Sequence, residues 1–185
     1  MVNDALSEAE DRMGGAARVL EQDLAAIRTG RASPALVERL HVEYYGTQTP
    51  LMQLATISAP EPRLLTIRPF DAATLKDIER AILTSDLSLT PSNDGKIIRL
   101  NIPPLTEERR HELVRIVRNR IEEARVSVRN VRRDLLKVLR DFEREKMISE
   151  DELKRGEEAL QKITDRHIEE LNEMGKRKET EVLEG

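Results

Sequence analysis

All eight prolines of this 185-residue chain fall within residues 34–104. Proline in a helix interior removes a backbone donor and clashes with the preceding turn, at a cost of ~3 kcal/mol. The 33 residues before that window and the 81 after it are therefore free to form very long helices, and the window itself is not. This single asymmetry predicts two kinds of structure in one chain, with residues 1–30 and 105–185 forming one domain and residues 31–104 another.

Hydrophobic spacing supports the division. Leu113, Val117, Ile121, Ala124, Val128, Val131, Leu135, Val138 and Phe142 recur by threes and fours, an apolar stripe on a helix predicted over about residues 107–146. Thr106 supplies an N-cap and Glu107 and Glu108 supply first-turn acids, while Pro103 and Pro104 stop anything helical upstream. At 1.5 Å per residue the helix would be ~60 Å long. Ser149 followed by Glu152 reads as a capping box, after which Leu153, Leu160, Ile163, Leu171 and Met174 mark a second long helix. Leu6, Ala9, Met13, Ala16, Leu20, Leu24 and Ile27 mark a third at the start, expected to end at Gly30. Gly14 and Gly15 weaken it by up to ~1 kcal/mol each relative to alanine. The short link at Met147 makes the last two helices antiparallel, and the first completes a three-helix bundle. One long coiled coil with a partner chain is the alternative.

The window reads differently. Residues 40–46, 64–68 and 96–102 are β-rich, residues 74–83 form a short helix with Leu75, Ile78, Ala81 and Ile82 on one face, and residues 91–95 carry turn chemistry. The fold class is thus α+β: a long three-helix bundle with a small mixed α/β domain inserted between helix 1 and helix 2. The chain crosses between them twice, at Thr29, Gly30 and Arg31 and at Pro103, Pro104 and Leu105, a two-stranded hinge.

The chain has no cysteine, which excludes disulfide scaffolds, thiolate metal sites and thiol nucleophiles and is what a reducing compartment permits. No apolar run approaches the ~18 residues of a membrane span, and the acidic, polar start is unlike a targeting peptide. A cytoplasmic protein is the expectation. The net charge of −4 conceals a strong segregation, with 13 bases and 9 acids in residues 107–146 against 7 and 12 in residues 149–185. Residues 109–133 hold nine arginines and three acids, and every base among them is Arg, whose planar fork suits phosphate oxygens. With Val128 at zero, Arg118, Arg125, Arg129 and Arg132 fall at about 80°, 60°, 100° and 40° around the helix, a single basic ridge of unpaired arginines beside the core stripe. Arg115 and Arg133, near 140°, broaden it, and Glu122, at about 120°, interrupts it. The bland reading is a solvated face making i,i+4 pairs.

Signals for catalysis are poor. Gly95-Lys96 lacks the surroundings of a phosphate-binding loop, and neither a dinucleotide nor a zinc-protease motif occurs. His41, His111 and His167 are scattered and read as surface or packing residues, so no metal, cofactor or catalytic residue is assigned. Tyr44 or Tyr45 would suit base stacking, but a strand at that point turns one of them toward a core.

Arg28-Thr29-Gly30-Arg31-Ala32-Ser33-Pro34, Val42-Glu43-Tyr44-Tyr45-Gly46, Ser85-Asp86-Leu87, the Pro-Pro-Leu-Thr-Glu-Glu-Arg-Arg run from Pro103 and the Arg-Val-Ser-Val-Arg-Asn-Val-Arg-Arg run from Arg125 occur in this order along the whole chain. In these stretches the sequence closely resembles bacterial ribosome recycling factor. Ser88 and Thr90 stand where that family usually has Gly and Asn, and His111 where Lys is common. The resemblance implies an L-shaped, non-enzymatic monomer whose bundle binds large-subunit ribosomal RNA. With elongation factor G and GTP, such a factor promotes dissociation of the post-termination ribosome into subunits. It also implies RNA contacts at Arg110, Arg129, Arg132 and Arg133, with Arg28 and Arg31 near the hinge. An RNA-binding adaptor without recycling activity would share the arginine ridge, and a coiled-coil scaffold would need partner helices.

Overall fold

The computed structural model describes residues 1–185 and divides into two compact units. One comprises Met1–Arg28 and Thr106–Glu184, and the other Thr29–Leu105 with Gly185.

The first unit consists of α1 (Val2–Ala25), α3 (Glu107–Arg144) and α4 (Glu150–Glu184). Thr106 caps α3 by accepting a hydrogen bond from the Arg109 N–H at 3.1 Å. One half of the capping box forms at α4, where the Glu152 N–H donates to Ser149 Oγ at 3.1 Å, and Ser149 Oγ also donates to Glu152 Oε1 at 3.4 Å. Between them the chain reverses through Lys146, which has φ of 60°. Met13, Leu20, Leu135, Leu139, Leu160 and Leu171 are fully buried among the three helices, each contributing ~1.5–3 kcal/mol by leaving water. Ala5, Ala9 and Ala17 line the buried face of α1.

Two details depart from the spacing. Val138 is 36% exposed, and the adjacent Leu139 is fully buried in its place. Both positions satisfy a helical repeat after Leu135, but Gly156 of α4 leaves a hollow opposite α3, and the longer Leu139 side chain fills it, ~3.4 Å from where a Gly156 Cβ would stand. The first helix ends at Ala25 rather than running to Gly30. Gly30, with φ of 77°, serves a different turn, in which its missing Cβ makes room for Leu105.

In the second unit, β1 (His41–Tyr44) and β2 (Thr47–Pro50) form an antiparallel hairpin. Its two turn residues, Tyr45 and Gly46, both have positive φ, as the twist of a two-residue hairpin requires. A four-stranded antiparallel sheet has the order β3 (Ala55–Glu61), β4 (Leu64–Pro69), β6 (Ile98–Asn101), β5 (Pro91–Asn93). Leu65 pairs with Leu100 and Ile67 with Ile98. These four, with Ile78 and Ile82 of α2 (Leu75–Leu83), are fully buried and form the centre of a separate core.

β2, β3 and β5 are strands that the hydrophobic pattern does not reveal. β2 is Thr-Gln-Thr-Pro, and β3 buries only its first residue fully. Residues 91–95 divide into a short edge strand and a turn, because Pro91 lies at a strand start, where its missing N–H is tolerated. The turn is fastened by Asp94, whose Oδ1 accepts from the Lys96 and Ile97 N–H groups at 3.0 and 2.9 Å. Those backbone donors, with Arg99, hold its carboxyl far below the usual range. Ser88 has φ of 54°, a conformation that glycine adopts without strain.

Candidate RNA interface

The buried stripe of α3 fixes its rotation, and that rotation sets the neighbouring Arg118, Arg125, Arg129 and Arg132 beside α4. Arg118 Nε donates to Glu179 Oε1 at 2.9 Å. Arg125 donates from Nε and Nη2 to Asn172 Oδ1, at 2.9 and 2.5 Å, and from Nη1 to Glu122 Oε2 at 3.1 Å. Arg129 Nη1 donates to Glu122 Oε1 at 3.0 Å, and Arg132 Nη1 to Gln161 Oε1 at 2.7 Å.

The ridge is therefore present but not unpaired. Three of its four arginines reach across to α4, and the fourth is held by an acid of its own helix. The spacing along α3 alone conceals this, because the partners Gln161, Asn172 and Glu179 come from a helix that follows in sequence. Their separations of 11 and 7 residues, close to three and two helical turns, put them on one face of α4. That spacing marks a shared face, and only the folding back of α4 turns that face to α3.

Pairing does not exhaust the guanidinium groups. Each has five N–H donors in a planar fork, and the side chains of Arg118, Arg129 and Arg133 are 69%, 57% and 75% exposed. Arg125, at 31%, is more enclosed. The Glu122 carboxyl is held below its usual range by hydrogen bonds from Arg125 and then Arg129, so it remains an anion within the ridge.

The other expected residues are more dispersed. Arg110, near the start of α3, donates from Nη1 to the Leu183 carbonyl at 2.9 Å and so ties α3 to the end of α4. It lies 19 residues before Arg129, about 28 Å along a straight helix. Arg133 is exposed, with Asp134 at 3.8 Å. Arg28 is exposed at the end of the bundle unit, whereas Arg31 is exposed in the other unit. Of the residues expected to form a hinge, Thr29 and Gly30 are buried and Pro103 and Pro104 are exposed.

His167 is buried, its Nε2 2.8 Å from Glu10 Oε2, and so joins α4 to α1 as a packing residue. Tyr44 is half-buried and Tyr45 is 82% exposed at the hairpin turn. No three His, Cys, Asp or Glu side chains gather as metal ligands, and no helix is long and apolar enough to cross a membrane.

Comparison with known proteins places this geometry in context. Residues 20–183 match the family model described as ribosome recycling factor. The chain is 60% identical to the ribosome-recycling factor of Roseiflexus castenholzii over 184 residues, all of both chains. It is 57% identical to that of Carboxydothermus hydrogenoformans over 183 residues, 99% of each. Among solved structures, the solution structure of a ribosome recycling factor matches with a TM-score of 0.75 and 46% identity, covering 100% of this chain and 98% of that one. Models of the T. thermophilus ribosome recycling factor and the E. coli elongation factor G bound to the E. coli post-termination complex include a chain matching at a TM-score of 0.64 and 49% identity, with 99% of each covered.

Proposed function

The chain belongs to the ribosome recycling factor family, and on that premise we propose that it binds the post-termination ribosome and, with elongation factor G and GTP, promotes dissociation into subunits for a new round of translation. The GTP is hydrolysed by the partner, and the chain itself acts in the cytoplasm as a monomeric, non-enzymatic factor without a cofactor. Its relative from T. thermophilus has been described with elongation factor G on a post-termination complex, which supports the choice of partners.

The observation that carries the reading is the arginine seam. Arg118, Arg125, Arg129 and Arg132 form a line along α3 beside α4, and the two helices hold their forks in fixed directions. Pre-oriented guanidinium groups lose less freedom on meeting phosphate than free ones do. The bundle is then the part that meets large-subunit rRNA, through Arg129, Arg132 and Arg133, with Arg110 serving both the helix pair and the RNA. Arg28 and Arg31 add contacts near the connections. Thr29, Gly30 and Arg31, with Pro103, Pro104 and Leu105, act as a hinge that lets elongation factor G move the small domain against contacts between the ribosomal subunits.

A polysome-breakdown assay tests this. Breakdown to subunits should require the protein, elongation factor G and GTP together. Binding to isolated rRNA without any response to elongation factor G would identify an RNA-binding adaptor and overturn the recycling role.

A further inference from the structure

Three acids interrupt the arginine-rich stretch of α3, and they differ in what they hold. Glu112 pairs with Arg109 at 2.7 Å and Glu123 with Arg120 at 3.1 Å, each a single partner one turn away. Glu122 bridges two arginines at once, with Oε2 accepting from Arg125 and Oε1 from Arg129. Two carboxylate oxygens, each taking one guanidinium N–H, present the arrangement that two oxygens of a phosphate would offer the same pair.

We propose that Glu122 is a built-in counter-anion that occupies the phosphate position between Arg125 and Arg129, tempering the affinity of the ridge for RNA at large so that only a surface offering several phosphates together displaces it. The inference rests on the reading of the ridge as the RNA interface and concerns its selectivity.

The geometry suits this role. Glu122 and Arg129 are 52% and 57% exposed, so RNA reaches both. Arg125 keeps two hydrogen bonds to Asn172 when Glu122 is removed, and the seam between α3 and α4 does not depend on the carboxylate. Hydrogen bonds from both arginines keep Glu122 ionised at neutral pH. A fixed negative charge ~6 Å from an incoming phosphate opposes it by about threefold in affinity in water, less as salt rises. A flexible single strand meets that opposition with few compensating contacts. A rigid rRNA surface that also engages Arg118, Arg132 and Arg133 meets the same opposition from a higher starting affinity. The same factor that takes a weakly held strand off the ridge leaves a tightly held ribosome bound, so Glu122 sets a threshold on which RNA occupies the ridge.

The test compares Glu122→Gln with Glu123→Gln, which makes the same change in net charge one residue away, on the side of α3 facing away from the ridge. Both residues are exposed, so both variants should keep the fold. Affinity for poly(U) and for large ribosomal subunits is measured across a salt series, with Arg129→Ala alongside. The expected result for Glu122→Gln is a gain on poly(U) of about threefold to tenfold and a log–log salt slope steeper by about 0.7. The gain on large subunits should be of similar size, while Glu123→Gln changes either affinity by less than about twofold. Equal behaviour of the two variants, no gain on poly(U), or weaker binding by Glu122→Gln would overturn the proposal. If Arg129→Ala still weakens binding to large subunits in that case, the ridge stands as the interface and only the role of Glu122 fails. If Arg129→Ala binds like the wild type, the interface reading fails and this proposal with it.

Discussion

Gly175 of α4 lies so close to Ile121 of α3 that a methyl group on it would stand 2.7 Å from Ile121 Cγ1. Ile121 is buried, and its branched side chain has essentially one rotamer in a helix, so it has little room to withdraw. Gly175→Ala should therefore destabilise the protein by ~1–3 kcal/mol through overpacking, even though alanine favours helix by up to ~1 kcal/mol. Gly14→Ala makes the same chemical change in α1, where the nearest atom is Arg18 Nη1 at 3.5 Å, an ordinary contact. It should stabilise by ~0.5–1 kcal/mol. Denaturant unfolding of the two variants measures both signs, and a neutral or stabilising Gly175→Ala would show that the helices separate without cost.

The contrast between these glycines also shows how far sequence reading reaches. Gly14 and Gly175 both interrupt apolar repeats, and nothing in either repeat separates a glycine required by a neighbouring helix from one that merely weakens its own. The long helices are legible because their stripes are local: Thr106 and Ser149 announce their own caps, and the absence of proline is visible at a glance. The arginine ridge is legible as a line along α3 for the same reason. Its partners Gln161, Asn172 and Glu179 are not, since they become neighbours only when α4 folds back. β2 and β5 are hidden for another reason: their stability comes from hydrogen bonding to β1 and β6 rather than from an apolar pattern of their own.

Glu10 gives the bundle a dependence on acid. His167 Nε2 lies 2.8 Å from Glu10 Oε2, and Arg166 engages Oε1. The hydrogen bond from His167, followed by the charge of Arg166, holds the Glu10 carboxyl below its ordinary value of 4.5. A carboxyl lowered on folding contributes stability that is fully present above its unfolded value and is lost as pH falls through the folded one. Stability should therefore decline below about pH 4.5. In Glu10→Gln that acid limb should be shallower and the stability at pH 7 lower. Urea unfolding at pH steps from 7 to 3 measures the difference, and superimposable acid limbs would show that Glu10 is not coupled to folding. Asp94 and Glu122 are lowered as well, so part of the limb persists in the variant.

Arg129→Ala and Arg132→Ala should each weaken binding to large ribosomal subunits and flatten its salt dependence by about 1 in log–log slope for each phosphate no longer neutralised. Arg132→Ala also removes the Gln161 hydrogen bond between α3 and α4, an exposed interaction whose removal costs ~0.5–1.5 kcal/mol of stability. Arg129 is paired within its own helix, so its variant should unfold like the wild type. Comparing the two separates RNA binding from helix pairing. Wild-type affinity and slope in both variants would remove the ridge from the interface.

The contact between Gly30 and Leu105 supplies the test of the proposed hinge. Gly30 has φ of 77°, and a Cβ there would lie 3.1 Å from Leu105 Cγ and 3.4 Å from the Leu105 backbone nitrogen. Gly30→Val sets a branched residue in a conformation that costs it ~1–3 kcal/mol and presses the two connecting segments apart. The bundle core contains neither residue. Helix content by circular dichroism and affinity for large subunits should therefore remain within about twofold of the wild type, while polysome breakdown with elongation factor G and GTP falls by about tenfold, equivalent to ~1.4 kcal/mol in the splitting step. Adding Leu105→Ala opens the space that valine needs and leaves the backbone strain, so breakdown should recover in part. Full breakdown by Gly30→Val would mean that the fit of Gly30 against Leu105 is used for folding alone and not for recycling.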